Sequence, residues 1–319
     1  MAEINCLIVF ESTMNKRYME MASIHGLDTY LVNLNNNLDA NPLVNIFYRL
    51  RTKKELRIKV QDLISYIESK NITNIYLSNA EGYVSNNIIF FLRKKFPSIK
   101  FIALQHGLFP LIHSRYKESL RKIINQFGYL ISGIFVLGEG FGGIKLNKYY
   151  VYSDRERNFL IDKKGWDMEN VEVNIRFIKA ELYNRFLKNK NIQNEKTALF
   201  LLQGLSIVGL CSKQNELFLI ESTIKYLSKT YKELLIKEHP SCEGRLETMN
   251  LPQNTKIVSS INEGFEKSKT AYSFFSSSLI DAKVYNIKTV GIYSERINVD
   301  EEIYENFDKK INFEDIIDS

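Results

Sequence analysis

The chain has 319 residues, of which 45% are hydrophobic and 25% are charged. This composition is typical of globular proteins and excludes a wholly disordered chain, and the length suits two domains of about 150 residues each. Lys and Arg number 43 against 37 Asp and Glu, which gives a net charge of +6. This mild excess suits an anionic small molecule or a lipid surface, and it does not indicate a nucleic-acid-binding protein.

The cysteines and the hydropathy pattern bear on the compartment. Cys6, Cys211 and Cys242 are odd in number and far apart, which argues against a disulfide framework or a thiolate metal site. No stretch reaches the roughly 18 apolar residues that a membrane span needs. The short β-branched run at residues 4–10 predicts a buried first strand rather than a signal peptide. We therefore expect a cytoplasmic protein.

Short apolar runs alternate with amphipathic stretches through the first half of the chain. The predicted strands in this half cover residues 5–10, 29–34, 75–77, 101–104 and 149–153. The predicted helices cover residues 54–69, 86–95 and 154–164. This alternation is typical of βαβ units around a mostly parallel sheet.

Residues 115–135 are basic and aromatic, and two interpretations remain open. The segment is either a long connecting helix with one solvated basic face or an amphipathic helix that lies on anionic lipid. The glycine-rich residues 138–143 that follow match GxGxxG as a string. A dinucleotide site needs a helix that begins on the last glycine. A loop and a strand are predicted there instead, so we interpret the string as a mobile loop.

A polar segment without periodicity, residues 188–196, is the predicted linker. The predicted domains are residues 1–187, residues 188–300, and a C-terminal helix at 301–319 that packs back on the first domain. Strands of the second domain are predicted at residues 197–203, 233–237, 256–258, 270–274 and 289–292. Helices of this domain are predicted at residues 215–230 and 277–285. The expected fold is α/β, with two Rossmann-like domains facing across a cleft.

His106 follows the predicted strand 101–104, within Gln105-His106-Gly107. Ligands bind at the carboxyl ends of strands in open parallel sheets, and a neutral imidazole there can take a proton from a hydroxyl group near pH 7. The alternative is a turn histidine that bonds to backbone. Glu81 also follows a predicted strand and is a second candidate base, or else a solvated loop acid.

His239 follows the predicted strand 233–237 and precedes Pro240, which favours an extended backbone. Its ring would lie at the carboxyl edge of the sheet and could donate a hydrogen bond to a phosphate, to which Lys237 adds positive charge. The serines Ser276, Ser277 and Ser278 end a strand and begin a helix. Serines at such a helix start either cap it or help to bind an anion.

The other histidines have weaker claims. His25 lies near the end of the predicted first helix, where it would complement the helix dipole. His113 lies in the basic segment and is a secondary acceptor-side candidate. The sequence has no GxxxxGK[ST], HExxH, CxxC or GxSxG motif, which argues against a phosphate loop, a zinc site and a serine hydrolase.

Taken in order, Gln105-His106-Gly107, Lys237-Glu238-His239-Pro240 and Ser276-Ser277-Ser278 resemble the motifs of two-domain GT-B glycosyltransferases of bacterial surface polysaccharides. The sequence most resembles the bacterial sialyltransferases and polysialyltransferases, which share an HP motif and a paired-serine motif. It is also similar to the glycerol-phosphate polymerases of teichoic acid synthesis. The acidic pair of the sialyltransferases is absent, which moves the base to His106 with Glu81 in reserve.

The resemblance implies an inverting, metal-independent glycosyltransferase without a cofactor, whose substrate is a CMP-activated sugar, a sialic acid or related nonulosonate. His239, Pro240, Lys237 and the three serines would bind this donor in the second domain. Gln105 and His113 would face a glycan or glycolipid acceptor in capsule or lipooligosaccharide synthesis. The alternatives are a CDP-alditol phosphotransferase of teichoic-acid type and a non-catalytic assembly factor that docks on the membrane through residues 115–135.

Overall fold

The chain divides into two units, Met1–Glu181 and Leu182–Ser319, and each is built on a six-stranded parallel sheet. The prediction of an α/β protein with two Rossmann-like units is confirmed. The structure, a computed structural model, describes residues 3–10, 15–33, 42–105, 107, 115–188, 194–207, 209–239, 244–299 and 301–317.

Six strands form the first sheet: β1 (Asn5–Phe10), β2 (Asp28–Val32), β3 (Asn74–Leu77), β4 (Lys100–Leu104), β5 (Lys148–Val151) and β6 (Val171–Val173). Their order across the sheet is β2-β1-β3-β4-β5-β6, with all pairs parallel. The helices described in this part of the chain are α1 (Asn15–Ile24), α2 (Pro42–Arg51), α3 (Lys53–Lys70), α4 (Tyr83–Lys95), α5 (Arg115–Ser132), α6 (Asp154–Asp162), α7 (Ile175–Ile178) and α8 (Ala180–Lys188).

The first sheet is buried on both faces, as its uninterrupted apolar strands predict. In β1, Cys6 and Ile8 pack into one apolar cluster, while Leu7 and Val9 pack into the cluster on the opposite face. This division follows from the alternation of side chains along a strand. Both faces of the sheet are therefore covered, and the edges where the strands end are left for loops.

The second sheet contains β7 (Asn194–Leu201), β8 (Glu233–Lys237), β9 (Thr255–Ile257), β10 (Ser268–Ser273), β11 (Lys288–Tyr293) and β12 (Lys309–Asn312). The strands run parallel in the order β12-β11-β10-β7-β8-β9. The helices described here are α9 (Lys213–Thr230), α10 (Ile261–Lys267), α11 (Ser278–Val284) and α12 (Phe313–Ile317). Leu234, Leu235 and Ile236 of β8 are all buried, which shows that this sheet too is covered on both faces.

Each sheet has a point at which the strand order reverses. In the first sheet β2 lies on one side of β1 and β3 on the other, so the first switch point lies between β1 and β3. In the second sheet β8 and β9 extend to one side of β7 and β10 lies on the other, so the second switch point lies between β7 and β10. Ligands of open α/β sheets bind outside the carboxyl ends of the strands at such points.

The C-terminal segment differs from its prediction. Residues 301–319 were expected to form a helix that packs on the first domain, whereas β12 pairs with β11 and belongs to the second unit. The short helix α12 follows, and its Phe313 and Ile316 join the apolar core beside α9. The few apolar residues of this segment can pack in an edge strand or on one face of a helix, so their pattern does not distinguish the two structures.

The predicted linker and the predicted last strand of the first domain also differ from the structure. The units divide after Glu181, within α8, rather than after residue 187. Residues 189–193 of the linker lie outside the described residues, and β7 begins at Asn194. The short strand β6 follows β5 and forms the edge of the first sheet. A three-residue strand is too short for its alternation to be read from sequence.

Candidate functional site

Polar groups of the second unit meet at the second switch point, where Gln203 follows β7. Its Oε1 accepts hydrogen bonds from the Phe275 backbone N–H (2.9 Å) and the Ser273 hydroxyl (3.2 Å). The Ser273 hydroxyl also bonds to the Leu201 carbonyl (2.8 Å). Because a backbone N–H can only donate, the network fixes the oxygen of the Gln203 amide towards Phe275. The amide nitrogen of Gln203 then points away from Phe275, and no described residue is seen to accept from it.

The three predicted serines follow β10 at the same switch point. The Ser276 hydroxyl accepts from the Ser278 backbone N–H (3.2 Å), and the Ser276 residue is mostly buried. Ser277 is the N-cap residue of α11, yet its side chain makes no capping hydrogen bond. The usual capping role therefore does not use the Ser277 hydroxyl. The loop brings Gln203 and the serines to one place, as their strand ends predict.

A buried carboxylate holds the loop that follows β7. Glu216, in the first turn of α9, is fully buried and accepts from the backbone N–H of Leu205 (2.9 Å) and of Ser206 (3.3 Å). It also accepts from the Ser206 hydroxyl and forms an ion pair with Arg245. Glu216 thus connects the loop after β7 with the 3-10 helix that contains Arg245.

His239 lies just past the carboxyl end of β8, next to β7 in the sheet, and the residue is exposed. Partial loss of hydration around the ring lowers the pKa of His239 below its ordinary 6.5, and the charge of Lys237 lowers it further. The ring is therefore neutral near pH 7 and keeps one N–H to donate. Glu238, between Lys237 and His239 in the chain, is buried and accepts from the backbone N–H of Gly244 (3.3 Å) and Leu246 (3.1 Å). Pro240 lies outside the described residues.

Glu81 lies beside the first switch point, four residues past the end of β3, and is buried. Its carboxylate accepts from the Ala80 backbone N–H (3.0 Å) and from the Tyr149 hydroxyl. Burial and the neighbouring Glu81 raise the pKa of Tyr149 well above its ordinary range, so the phenol stays protonated and donates. The Asn79 side chain in turn accepts from the Glu81 backbone N–H (2.8 Å).

Gln105 joins the ends of two strands. The residue is fully buried, and its side-chain oxygen accepts from the Tyr152 backbone N–H (2.8 Å) while its side-chain nitrogen donates to the Gly107 carbonyl (2.8 Å). Both ends of the amide are engaged inside the protein, so Gln105 holds the end of β4 against the chain beyond β5. His106 and His113 lie outside the described residues.

The glycine-rich residues 138–143 form a loop that leads to β5, as predicted, and no helix begins in it. Gly138 passes so close to the backbone of Glu81 that a Cβ atom there would lie 2.3 Å from the Glu81 carbonyl oxygen. The Glu139 backbone N–H donates to the Asn86 side chain (2.6 Å), which also bonds to the Ala80 carbonyl (2.6 Å). Gly138 therefore serves close packing against Glu81, in contrast to the phosphate-binding role of glycines in a dinucleotide fingerprint.

Most of the basic segment forms the helix α5. The buried face of this helix is polar, and its exposed face is apolar. The face that packs on the unit is small and polar: Asn125, Gly128 and Ser132 are buried, and a Cβ at Gly128 would lie 2.9 Å from Val136. The outward face carries large apolar side chains, of which Leu130 is 82% exposed and Phe127 66% exposed. The other exposed apolar residues of α5 are Tyr116, Leu120, Ile123 and Ile131. Within the described residues, no helix is both long enough and apolar enough to cross a bilayer.

His25 takes no part in either cluster. It follows the last residue of α1, its Nε2 lies 3.1 Å from the Phe177 carbonyl oxygen, and its ring stacks on the Phe177 ring with 3.9 Å between centroids. Sequence reasoning missed Gln203 and Glu216. The strand-end rule that selected His239 would have found Gln203, whereas nothing in the local sequence shows that Glu216 points inward.

No known protein family matches this chain in sequence, and no curated protein matches it in sequence either. Its architecture is the GT-B fold, two Rossmann-like units in one chain. Similar solved structures include the spinosyn rhamnosyltransferase SpnG, with TM-score 0.54, 10% identity, and coverage of 99% of this chain and 90% of that chain. The calicheamicin glycosyltransferase CalG4 has TM-score 0.53 and 8% identity, with 98% and 86% covered. The glycosyltransferase SnogD from Streptomyces nogalater has TM-score 0.51 and 9% identity, with 99% and 88% covered.

Proposed function

We propose that the chain is an inverting glycosyltransferase that moves a sugar, a sialic acid or related nonulosonate, from a CMP-activated donor to a glycan or glycolipid acceptor. The observation that supports this most is the second switch point, where Gln203 and the serines supply hydrogen-bond donors and His239 lies one strand away. The solved structures with the same fold are glycosyltransferases by name. The reaction would serve capsule or lipooligosaccharide synthesis.

The donor site rests on charge and hydrogen bonding in the second unit. Glu216 and Glu238, two carboxylates near the switch point, are turned inward onto backbone N–H groups. Lys237, Ser277 and Ser278 are partly exposed in this unit, and His239, whose ring is neutral, is exposed. Such a surface would stabilise the negative charge that develops on the departing nucleotide phosphate. Positioned donors of this kind can take the place of a metal ion in the transfer.

The base of the reaction belongs to the first unit in this proposal. We assign it to His106, which would take the proton of the acceptor hydroxyl as that oxygen attacks the anomeric carbon. Glu81 is the alternative base, but its carboxylate is engaged by Tyr149 and Ala80. His106→Ala should abolish turnover, whereas Glu81→Gln should keep most of it. The reverse result would make Glu81 the base.

A nucleotide panel tests the donor. Thermal unfolding of the intact protein is measured with CMP, CDP, UDP and GDP at equal concentrations, and products are then analysed with CMP-activated and CDP-activated donors. A ligand at one hundred times its Kd raises the free energy of unfolding by about 2.7 kcal/mol, and a tighter ligand raises it more at the same concentration. Because CMP is the proposed nucleotide, it should give the largest shift in unfolding temperature. Activity with CDP-glycerol alone would replace the proposal with the alditol phosphotransferase, and no response to any nucleotide would favour the assembly factor.

We further propose that the protein works on the inner surface of the cell membrane and contacts it through α5. The outward apolar side chains of this helix, with basic residues in the same segment, suit an anionic bilayer surface. Flotation with vesicles that contain phosphatidylglycerol tests this. Phe127→Ser with Leu130→Ser should abolish flotation without loss of folding, and vesicles of phosphatidylcholine alone should bind less protein. Equal flotation of the variant would exclude α5 as the contact.

A further inference from the structure

A groove runs along the outside of α4 in the first unit. Its volume is about 540 Å³, within the range of small-molecule sites. It lies between α4, α5 and the glycine-rich loop, and it extends from Asn86 to Lys94, about 12 Å along the helix axis. Its apolar lining consists of Ile89, Phe90, Phe135 and Ile144.

Three cations stand around this apolar lining: Arg93, Lys94 and Lys122. Among the residues that the structure describes, none of the three is paired with a carboxylate. Arg93 donates to the Lys145 carbonyl (2.6 Å) and lies over the Phe101 ring, 5.6 Å from its centroid, which holds the guanidinium in place. Partial burial lowers the pKa of Arg93, which remains protonated at neutral pH.

The acid at the groove, Glu139, forms no ion pair with these cations among the described residues. Glu139 accepts from the Asn125 side chain (2.8 Å), and the Glu139 carbonyl accepts from Arg121 (2.7 Å). These bonds point Glu139 towards α5. The groove thus combines an apolar lining with an excess of unpaired positive charge, mostly at the end formed by the last turn of α4.

We propose that the groove binds one anionic phospholipid of the membrane, with an acyl chain on the apolar lining and the phosphate on Arg93, Lys94 and Lys122. A phosphate suits this set because Arg and Lys side chains donate several charge-assisted hydrogen bonds to its oxygens. Lys122 is followed by Ile123 on the outward face of α5, so the groove opens beside the surface that we propose contacts the membrane. The site goes beyond the transfer reaction and does not depend on it.

Decyl phosphate, titrated into the intact protein by calorimetry below its micelle concentration, tests the site. We expect saturable binding of one molecule, weaker binding of butyl phosphate by up to about fourfold for each methylene removed, and no binding of decyltrimethylammonium. Lys94→Glu with Lys122→Glu should weaken decyl phosphate binding at least tenfold. Both side chains are exposed, so folding should be unaffected, which thermal unfolding checks.

The matched control is Lys95→Glu with Lys54→Glu, which makes the same change in net charge outside the groove. Lys95 is the next residue on α4 and pairs with Glu68 (3.3 Å), and the control should change affinity less than twofold. Leu130→Ser on α5 should also leave decyl phosphate binding unchanged. Equal weakening by control and groove variants, or equal binding of the cationic amphiphile, would overturn the proposal. Failure of the nucleotide panel would leave this result untouched, because no donor is used.

Discussion

The carboxyl edges of the two sheets use similar polar residues in opposite ways. At the first sheet, Gln105 has both ends of its amide engaged and Glu81 is held by Tyr149 and Ala80. At the second sheet, the hydrogen bonds of the Gln203 side chain to other described residues are made by its oxygen, and His239 is exposed. The described residues of the first edge hold strand ends together, and the second edge is the one to which we assign the nucleotide donor.

The difference depends on where the acids point. Glu216 and Glu238 in the second unit accept from backbone N–H groups inside the loops. Their charge is therefore compensated within the fold. In the first unit Glu81 performs the same inward function, which weakens its claim to be a base.

Among the variants considered, a substitution of His239 at the second edge should have the largest effect. His239→Ala should lower the transfer rate by about two to three orders of magnitude, since removal of one positioned donor has that effect. Steady-state kinetics with the donor identified by the nucleotide panel measures it, and thermal unfolding should change little because the residue is exposed. His239→Asn, which keeps an N–H donor, should recover part of the rate. An unchanged turnover number in His239→Ala would remove this residue from the donor site.

A Cβ atom at Gly138 should disturb the first edge. Gly138→Ala forces the loop away from the Glu81 carbonyl, and overpacking of this kind costs about 1–3 kcal/mol of unfolding free energy. Urea denaturation measures the change. Gly107→Ala is the matched control, because a Cβ atom at this position would meet nothing within 4 Å, and it should stay within about 0.5 kcal/mol. Equal stability of the two variants would show that the loop does not need its close approach to Glu81.

Gln203→Glu should sharpen the donor assignment. The new carboxylate keeps an oxygen for the Phe275 N–H and the Ser273 hydroxyl, so the unfolding free energy should change little. A negative charge beside a phosphate should weaken CMP binding about tenfold, or about 1.4 kcal/mol. Calorimetric titration of CMP gives the affinity, and Gln203→Met is the uncharged comparison. If Gln203→Glu binds CMP as well as the natural chain does, the phosphate lies elsewhere.

The smallest expected effect is on the titration of His239. Its pKa lies below 6.5, and Lys237→Met should raise it part of the way back because one positive neighbour is lost. Since the folded pKa is depressed, the unfolded chain binds the proton more readily. The ring therefore lowers stability as pH falls through 6.5 towards the folded pKa, and has no effect well above 6.5. NMR of the ring protons measures both pKa values. A pKa of His239 that does not move in the variant would contradict the effect of Lys237.

Sequence reasoning predicted the parts that depend on local pattern. The strands β1, β3, β4 and β8 follow apolar runs bounded by turn residues, and the serines and His239 lie at strand ends as expected. It could not predict that the Gln105 side chain would hydrogen-bond to the chain beyond β5, because its partner Tyr152 is distant in sequence. The role of β12 was missed for a similar reason, since a short edge strand is defined by the neighbour with which it pairs.

The contacts of Glu216 limit which segments of this protein can be exchanged for those of another protein. The Glu216 carboxylate, at the start of α9, contacts both the loop after β7 and Arg245 of the 3-10 helix, and so holds these parts together. A loop transplanted from another protein of the same fold would lack these contacts unless Glu216 and Arg245 were transplanted with it. The smallest interchangeable module at this edge is therefore two segments that are separate in sequence, the loop after β7 with the start of α9 and the 3-10 helix of Arg245, rather than one loop.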